Sequence, residues 1–132
     1  MKRKWRNRRW AAAAVEMAIV TPILLTMLFG IIEYGWVFTV RQALTTAARE
    51  GARTAALPGS TVSEVEQRIS DYLTPLGLST YSSDVTCDDE GAPVGEVRVE
   101  IPYADVSLVG CYFGSVEGDL FAVCSMKKEG ID

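Results

Sequence analysis

The sequence predicts an α+β fold: a long apolar N-terminal helix, a short second helix and a small antiparallel sheet. Three observations predict it. Residues 11–32 hold a single ionisable group, Glu16, in an otherwise apolar run. Residues 61–77 place apolar side chains at helical spacing between a capping signal and a Pro/Gly stop. Beyond residue 79, short stretches alternate apolar and polar side chains, a strand pattern.

The first ten residues carry Lys2, Arg3, Lys4, Arg6, Arg8 and Arg9 and no acid. Trp5 and Trp10 suit the headgroup layer of a bilayer. No charge occurs from Met17 to Ile32, and the apolar stretch from Met17 to about Trp36 or Phe38 has the length needed for a span. Crossing about 30 Å of hydrocarbon takes about 20 residues. Glu33 then falls near the far interface. A signal peptide has an apolar core of about 7–15 residues followed by a small-residue cleavage site. This run is longer, and Gly30 to Trp36 offers no A-x-A, so cleavage after it is not expected. Glu16 stands inside the run, where a carboxylate costs about 2.5–3.5 kcal/mol at mid-depth. It either serves a function there or sits shallow enough to reach the headgroups. Pro22 removes one helix hydrogen bond and is expected to kink the helix.

After Val40 the pattern turns amphipathic. Ala43, Ala47, Gly51 and Ala55 recur every four residues and form a stripe of small side chains on one helix face. Such a stripe admits a second backbone, either the protein's own sheet or another chain. Leu57-Pro58-Gly59 stops the helix. Thr61 and Glu64 have capping-box spacing. Val62, Val65, Ile69, Tyr72, Leu73 and Leu76 are expected to form one core-facing stripe, closed by Pro75 and Gly77.

In the C-terminal half, Val97, Val99, Ile101 and Tyr103 alternate with Arg98, Glu100 and Pro102, with Pro102 suiting an edge or a strand end. The acidic run Asp88-Asp89-Glu90-Gly91 reads as a solvated hairpin turn, since adjacent acids lack the spaced ligands of a calcium loop. Val106, Leu108 and Cys111 to Phe113 suggest a strand or an irregular crossing. Leu120 to Met126 reads as a final strand, expected at the centre of a sheet of three or four strands. The domain organisation is therefore a basic tip (1–10), a long helix (11–57, membrane span about 17–38) and an α+β head (58–132).

The net charge of −4 over 132 residues conceals a division. Residues 41–132 carry seven basic and fifteen acidic side chains. The positive-inside rule keeps the basic tip in the cytoplasm and exports the acidic part, giving a single-pass protein of the cytoplasmic membrane. The basic tip is a topology signal, so no nucleic-acid partner is expected. Cys87, Cys111 and Cys124 all fall in the exported part, where one disulfide is possible among three pairings. The chain has no histidine. That removes Ser-His-Asp and Cys-His nucleophile systems and His metal sites. With three cysteines a four-ligand zinc site is not expected either. No catalysis, cofactor, metal or small-molecule substrate is expected.

The run AAAAVEMAIVTPILLTMLFGIIEYGWVFTVRQALTTAAREGAR, from Ala11 to Arg53, resembles the opening module of TadE/TadG-like proteins. The shared elements are the small residues before Val15-Glu16, Pro22 in the apolar helix, Gly30 followed by Glu33-Tyr34-Gly35, and the exit Ala47-Ala48-Arg49-Glu50-Gly51-Ala52-Arg53. The resemblance implies a pilin-like fold and a role as a minor pilin or pseudopilin of the tight-adherence (Flp-type) pilus. It implies processing by a prepilin peptidase between Ala11 and Ala12, which makes Glu16 the fifth mature residue. Pilin-type sites usually carry glycine where this chain has Ala11. Other pilins and pilus-assembly proteins are the implied partners. The competing reading is a membrane-anchored extracytoplasmic binding module unrelated to filaments.

Overall fold

The computed structural model describes residues 2–87, 94–110 and 118–128. The acidic run at 88–91 and Cys111 lie outside them. The elements, in order, are α1 (Lys2–Ala55), α2 (Val62–Leu73), a 3₁₀ turn (Thr74–Leu76), β1 (Ser82–Thr86), β2 (Val94–Pro102), a single helical turn α3 (Tyr103–Val106) and β3 (Asp119–Lys127). The long apolar helix, short second helix and three-stranded antiparallel sheet make the α+β fold that the sequence predicts. The chain divides into two compact units, Met1–Gly35 and Trp36–Asp132, and each has its own logic.

The first unit is helical throughout its described length. The backbone stays helical through Pro22. Around this proline, hydroxyls supply extra bonds to the backbone. Thr21 Oγ1 donates to the carbonyl of Met17 at 2.6 Å, and Thr26 Oγ1 donates to the carbonyl of Pro22 at 2.8 Å. Both are i to i−4 back-bonds, and neither reaches the Ala18 carbonyl, the one that Pro22 leaves without an N–H donor.

The second unit holds the core. Its sheet has the order β1-β2-β3, each neighbouring pair antiparallel. Val97 of β2 faces Val85 of β1 and Cys124 of β3. Alternation along β2 puts Gly95, Val97, Val99 and Ile101 on the buried face, as their spacing predicts. That face joins a core with Val40, Leu44, Ala47, Ala48, Ala52 and Ala55 of α1 and with Val65, Ile69 and Leu73 of α2.

Helix α1 ends where the Leu57-Pro58-Gly59 signal places it. Ser60 Oγ donates to the carbonyl of Ala55 at 3.3 Å, and Gly59 takes φ +78°. The predicted capping box forms: Glu64 N–H donates to Thr61 Oγ1 and Thr61 N–H donates to Glu64 Oε2. Gly77, at φ +77°, closes the 3₁₀ turn by donating to the carbonyl of Thr74.

Three expectations are corrected. β3 lies at an edge of the described sheet, and β2 is central. The high apolar content of β3 comes from both its faces: Ala122 is buried on the inside, while Phe121 and Val123 are exposed on the outside. Tyr72 and Leu76 do not join the buried stripe of α2, being 40% and 47% exposed. The buried arc is Val65, Ile69 and Leu73, and Leu76 falls in the 3₁₀ turn, where the helical phase changes from 3.6 to 3.0 residues per turn. Tyr103 does not continue β2. Pro102 has no N–H to extend the ladder, and the chain turns there into α3, with Tyr103 N–H donating to the carbonyl of Gly118 at 3.0 Å.

Candidate functional site

In the first unit the feature that requires a partner is the surface of α1. From Trp10 to Leu28 every side chain is exposed. Ile19, Ile23, Met27 and Ile31 are each more than 60% exposed. A soluble protein rarely leaves so large a continuous apolar surface in water. A core helix is ruled out for this segment, because none of its most apolar stretch is buried. Trp10 and Tyr34 bracket the exposed run, at 74% and 80% exposure. Twenty-four residues of α-helix separate them, about 36 Å at 1.5 Å per residue. That is the spacing of two aromatic belts just outside the hydrocarbon of a bilayer.

Glu16 lies within this segment, and its carboxylate has no hydrogen-bond or ion-pair partner among the described residues. Ala11 and Ala12 are exposed and lie one helical turn before it. The helix thus carries Ala12 and Glu16 on one face, about 6 Å apart along the axis. Pro22 is exposed as well.

In the second unit the stripe Ala43, Ala47, Gly51 and Ala55 is buried. The protein's own elements cover it. A methyl group built on Gly51 would stand 3.1 Å from Ile69 Cγ1 and 3.2 Å from Val97 Cγ1. One built on Gly95 would stand 3.1 Å from Ala55 Cβ. Helix α1 therefore packs tightly at Gly51 against the side chains of Ile69 and Val97, and its end at Ala55 comes within close backbone approach of Gly95 near the start of β2, which only small residues permit. Of the two uses open to the stripe, this structure adopts packing under its own sheet. Arg41, Arg49 and Arg53 stay exposed on other faces.

Sequence reasoning did not foresee a tether at the start of this unit. Trp36 Nε1 donates to the carbonyl of Val106 at 2.9 Å, fixing α3 against α1. A tryptophan near a membrane boundary reads as an interface anchor, and only the fold reveals its long-range acceptor.

Cys87 is buried and Cys124 half-buried. Cys124 sits opposite Val97 on β3, whereas Cys87 follows β1 on the other side of β2. Two inter-strand spacings, about 9–10 Å, separate those strands. A disulfide spans at most about 7 Å between Cα atoms, so the sheet keeps Cys87 and Cys124 from bonding to each other. The two remaining pairings both use Cys111.

Among the described residues one helix, near the N-terminus, is long and apolar enough to cross a membrane, which suggests a single-pass membrane protein carrying a small α+β unit. Residues 11–53 match the family model described as TadE-like protein, the family that the sequence resembles. The match covers the exposed helix and the small-residue stripe up to Arg53. No curated protein and no solved structure matches the chain. The match suggests a Tad pilus-associated protein.

Proposed function

We propose that the protein is a TadE-like minor pilin or pseudopilin that takes part in assembling a Tad (Flp-type) pilus or a related type IV filament or secretion apparatus. The observation that carries this reading is the coincidence of the family match with the exposed apolar helix. Before assembly the helix lies in the cytoplasmic membrane, its basic tip inside and the acidic unit outside. After assembly the same apolar surface packs among the helices of other pilins. Glu16 then has a role that a plain anchor does not give it. A prepilin peptidase cutting between Ala11 and Ala12 leaves a positive amine one turn from the carboxylate. Neighbouring subunits in register can pair the two, which offsets the cost of holding a charge in an apolar bundle.

The experiment is the N-terminal residue of the mature protein, read by mass spectrometry of the membrane fraction. A start at Ala12 supports pilin-type processing. A start at Met1 or Lys2 overturns it. Ala11, standing where pilin-type sites usually have glycine, favours a second reading: an uncut, membrane-anchored assembly factor. Cross-linking in cells separates the two, since an assembled pilin joins to other pilins through residues 12–32 and an uncut anchor does not.

A further inference from the structure

We propose that the groove between α2 and β1 is a binding site for a neutral saccharide. The groove has a volume of about 450 Å³ and lies wholly within the second unit. That volume is in the range of small-ligand pockets, about 300–1,000 Å³. One wall is the polar face of α2, with Glu66, Gln67 and Ser70; the other is the chain entering β1, with Ser79, Tyr81 and Ser83.

The lining chemistry restricts the occupant. Every residue lining the groove is a hydroxyl, a carboxamide or a carboxylate. None is cationic, so nothing there pairs with a phosphate, sulfate or carboxylate ligand. None is aliphatic, so the groove offers no apolar pocket to a lipid or an apolar peptide side chain. What remains is a dense array of mixed donors and acceptors. A sugar matches it, because each of its hydroxyls both donates and accepts.

Two further features fit a built site. Tyr81 lines the groove, stays half-buried and packs against the core, which holds its ring in place at the groove wall. Its hydroxyl has no protein partner among the described residues, nor do the side chains of Glu66, Ser79 and Ser83. Two hydrogen bonds between exposed side chains hold part of the α2 wall. Gln67 Nε2 donates to Asp71 Oδ1 at 2.8 Å, which holds the carboxamide and leaves its carbonyl oxygen and second N–H to a ligand. Ser70 Oγ and Thr74 Oγ1 are held 3.3 Å apart by a hydrogen bond between them. Groups held before binding lose less freedom on binding. The sugar is a ligand here and is not transformed, and the inference stands whether or not the chain enters a filament.

The test uses the full chain in lipid nanodiscs and saturation-transfer NMR with three probes: lactose, maltose and N,N′-diacetylchitobiose. Saturable transfer to the ring protons of at least one probe is expected, with a Kd of order 1 mM. Binding of the diacetylated probe alone points to an N-acetylated glycan strand as the source. Binding of lactose or maltose points to unacetylated glycans. Tyr81→Phe keeps the ring packed and removes the hydroxyl, and Gln67→Ala removes the carboxamide from an exposed helix face. Each should weaken binding about five- to tenfold, the usual loss for one hydrogen bond. Arg53→Gln, away from the groove, should bind as the native chain does. Absence of saturable transfer with all three probes overturns the proposal. So does transfer that persists unchanged in both groove variants or that empty nanodiscs reproduce.

Discussion

Gly95→Ala tests the close approach of α1 to β2. The added methyl carbon would stand 3.1 Å from Ala55 Cβ and 3.3 Å from both the carbonyl carbon and the carbonyl oxygen of Ala55. Carbon atoms normally settle about 3.5–4.0 Å apart. The strand and the helix end must therefore separate by a few tenths of an ångström. None of the three contacted atoms belongs to a flexible side chain, so α1 itself has to move, and Ala55 O is also held by Ser60 Oγ. Overpacking of this kind costs about 1–3 kcal/mol. Replacing a strand glycine by alanine returns about 0.5–1 kcal/mol of backbone entropy. Taking the middle of each range, the net expectation is a loss of about 1 kcal/mol. Gly51→Ala is the matched control. Its methyl's nearest neighbours are side-chain atoms, Ile69 Cγ1 and Cδ1 and Val97 Cγ1 at 3.1–3.2 Å, which give more readily than backbone. It also gains about 1 kcal/mol of helix propensity, so its net effect stays within about 1 kcal/mol of zero. The assay is urea unfolding of the full chain in micelles, followed through Trp36 fluorescence with Trp5 and Trp10 replaced by Phe. The Gly95→Ala midpoint should fall by about 0.5–1 M. A midpoint that is unchanged, or that falls less than that of Gly51→Ala, would refute the close-packed seam.

Four further outcomes are expected. Thr61→Ala removes half of the capping box and should destabilise the second unit by about 1 kcal/mol in the same urea assay. Trp36→Phe removes the bond to the Val106 carbonyl at a cost of about 0.5–1.5 kcal/mol, and hydrogen exchange should speed up at the Ser107 amide, which closes α3. Arg98→Ala, which removes an exposed ion pair to Glu100 and a stacking contact 5.1 Å from the Phe121 ring centroid, should change stability by less than about 1 kcal/mol. Ile23→Arg places a charge in the exposed apolar run and should cost about 2.5–3.5 kcal/mol of insertion, read as a shift from the carbonate-resistant membrane fraction to the soluble one; full retention in the membrane fraction would count against the span.

Much of this protein is legible in its sequence because the signals are local. The apolar run, the capping box at Thr61 and Glu64, and the alternation of Val97, Val99 and Ile101 each depend on neighbours within a turn or two. So does the stop at Pro58-Gly59. The Ala11–Arg53 pattern, matched by the family model, is likewise contained in one continuous helix. What fails is the inference from content to position. Leu120 to Met126 is apolar enough for a central strand, yet strand order depends on which partners reach its edges, and β2 has partners on both. Tyr72 has the right character for the core but not the right angle.

The tertiary structure alone decides what the small-residue stripe touches. Spacing puts Ala43, Ala47, Gly51 and Ala55 on one face and leaves open which backbone approaches it. The fold answers with Ile69, Val97 and Gly95, all distant in the chain. It alone supplies the acceptor for Trp36, keeps Cys87 from Cys124, and assembles the α2–β1 groove from residues that show no common pattern in sequence. The physical division is one of range. Backbone hydrogen bonding and hydropathy act between near neighbours and are written in periodicity, whereas contacts across a sheet or between helices depend on how the chain folds back on itself, which no local pattern encodes.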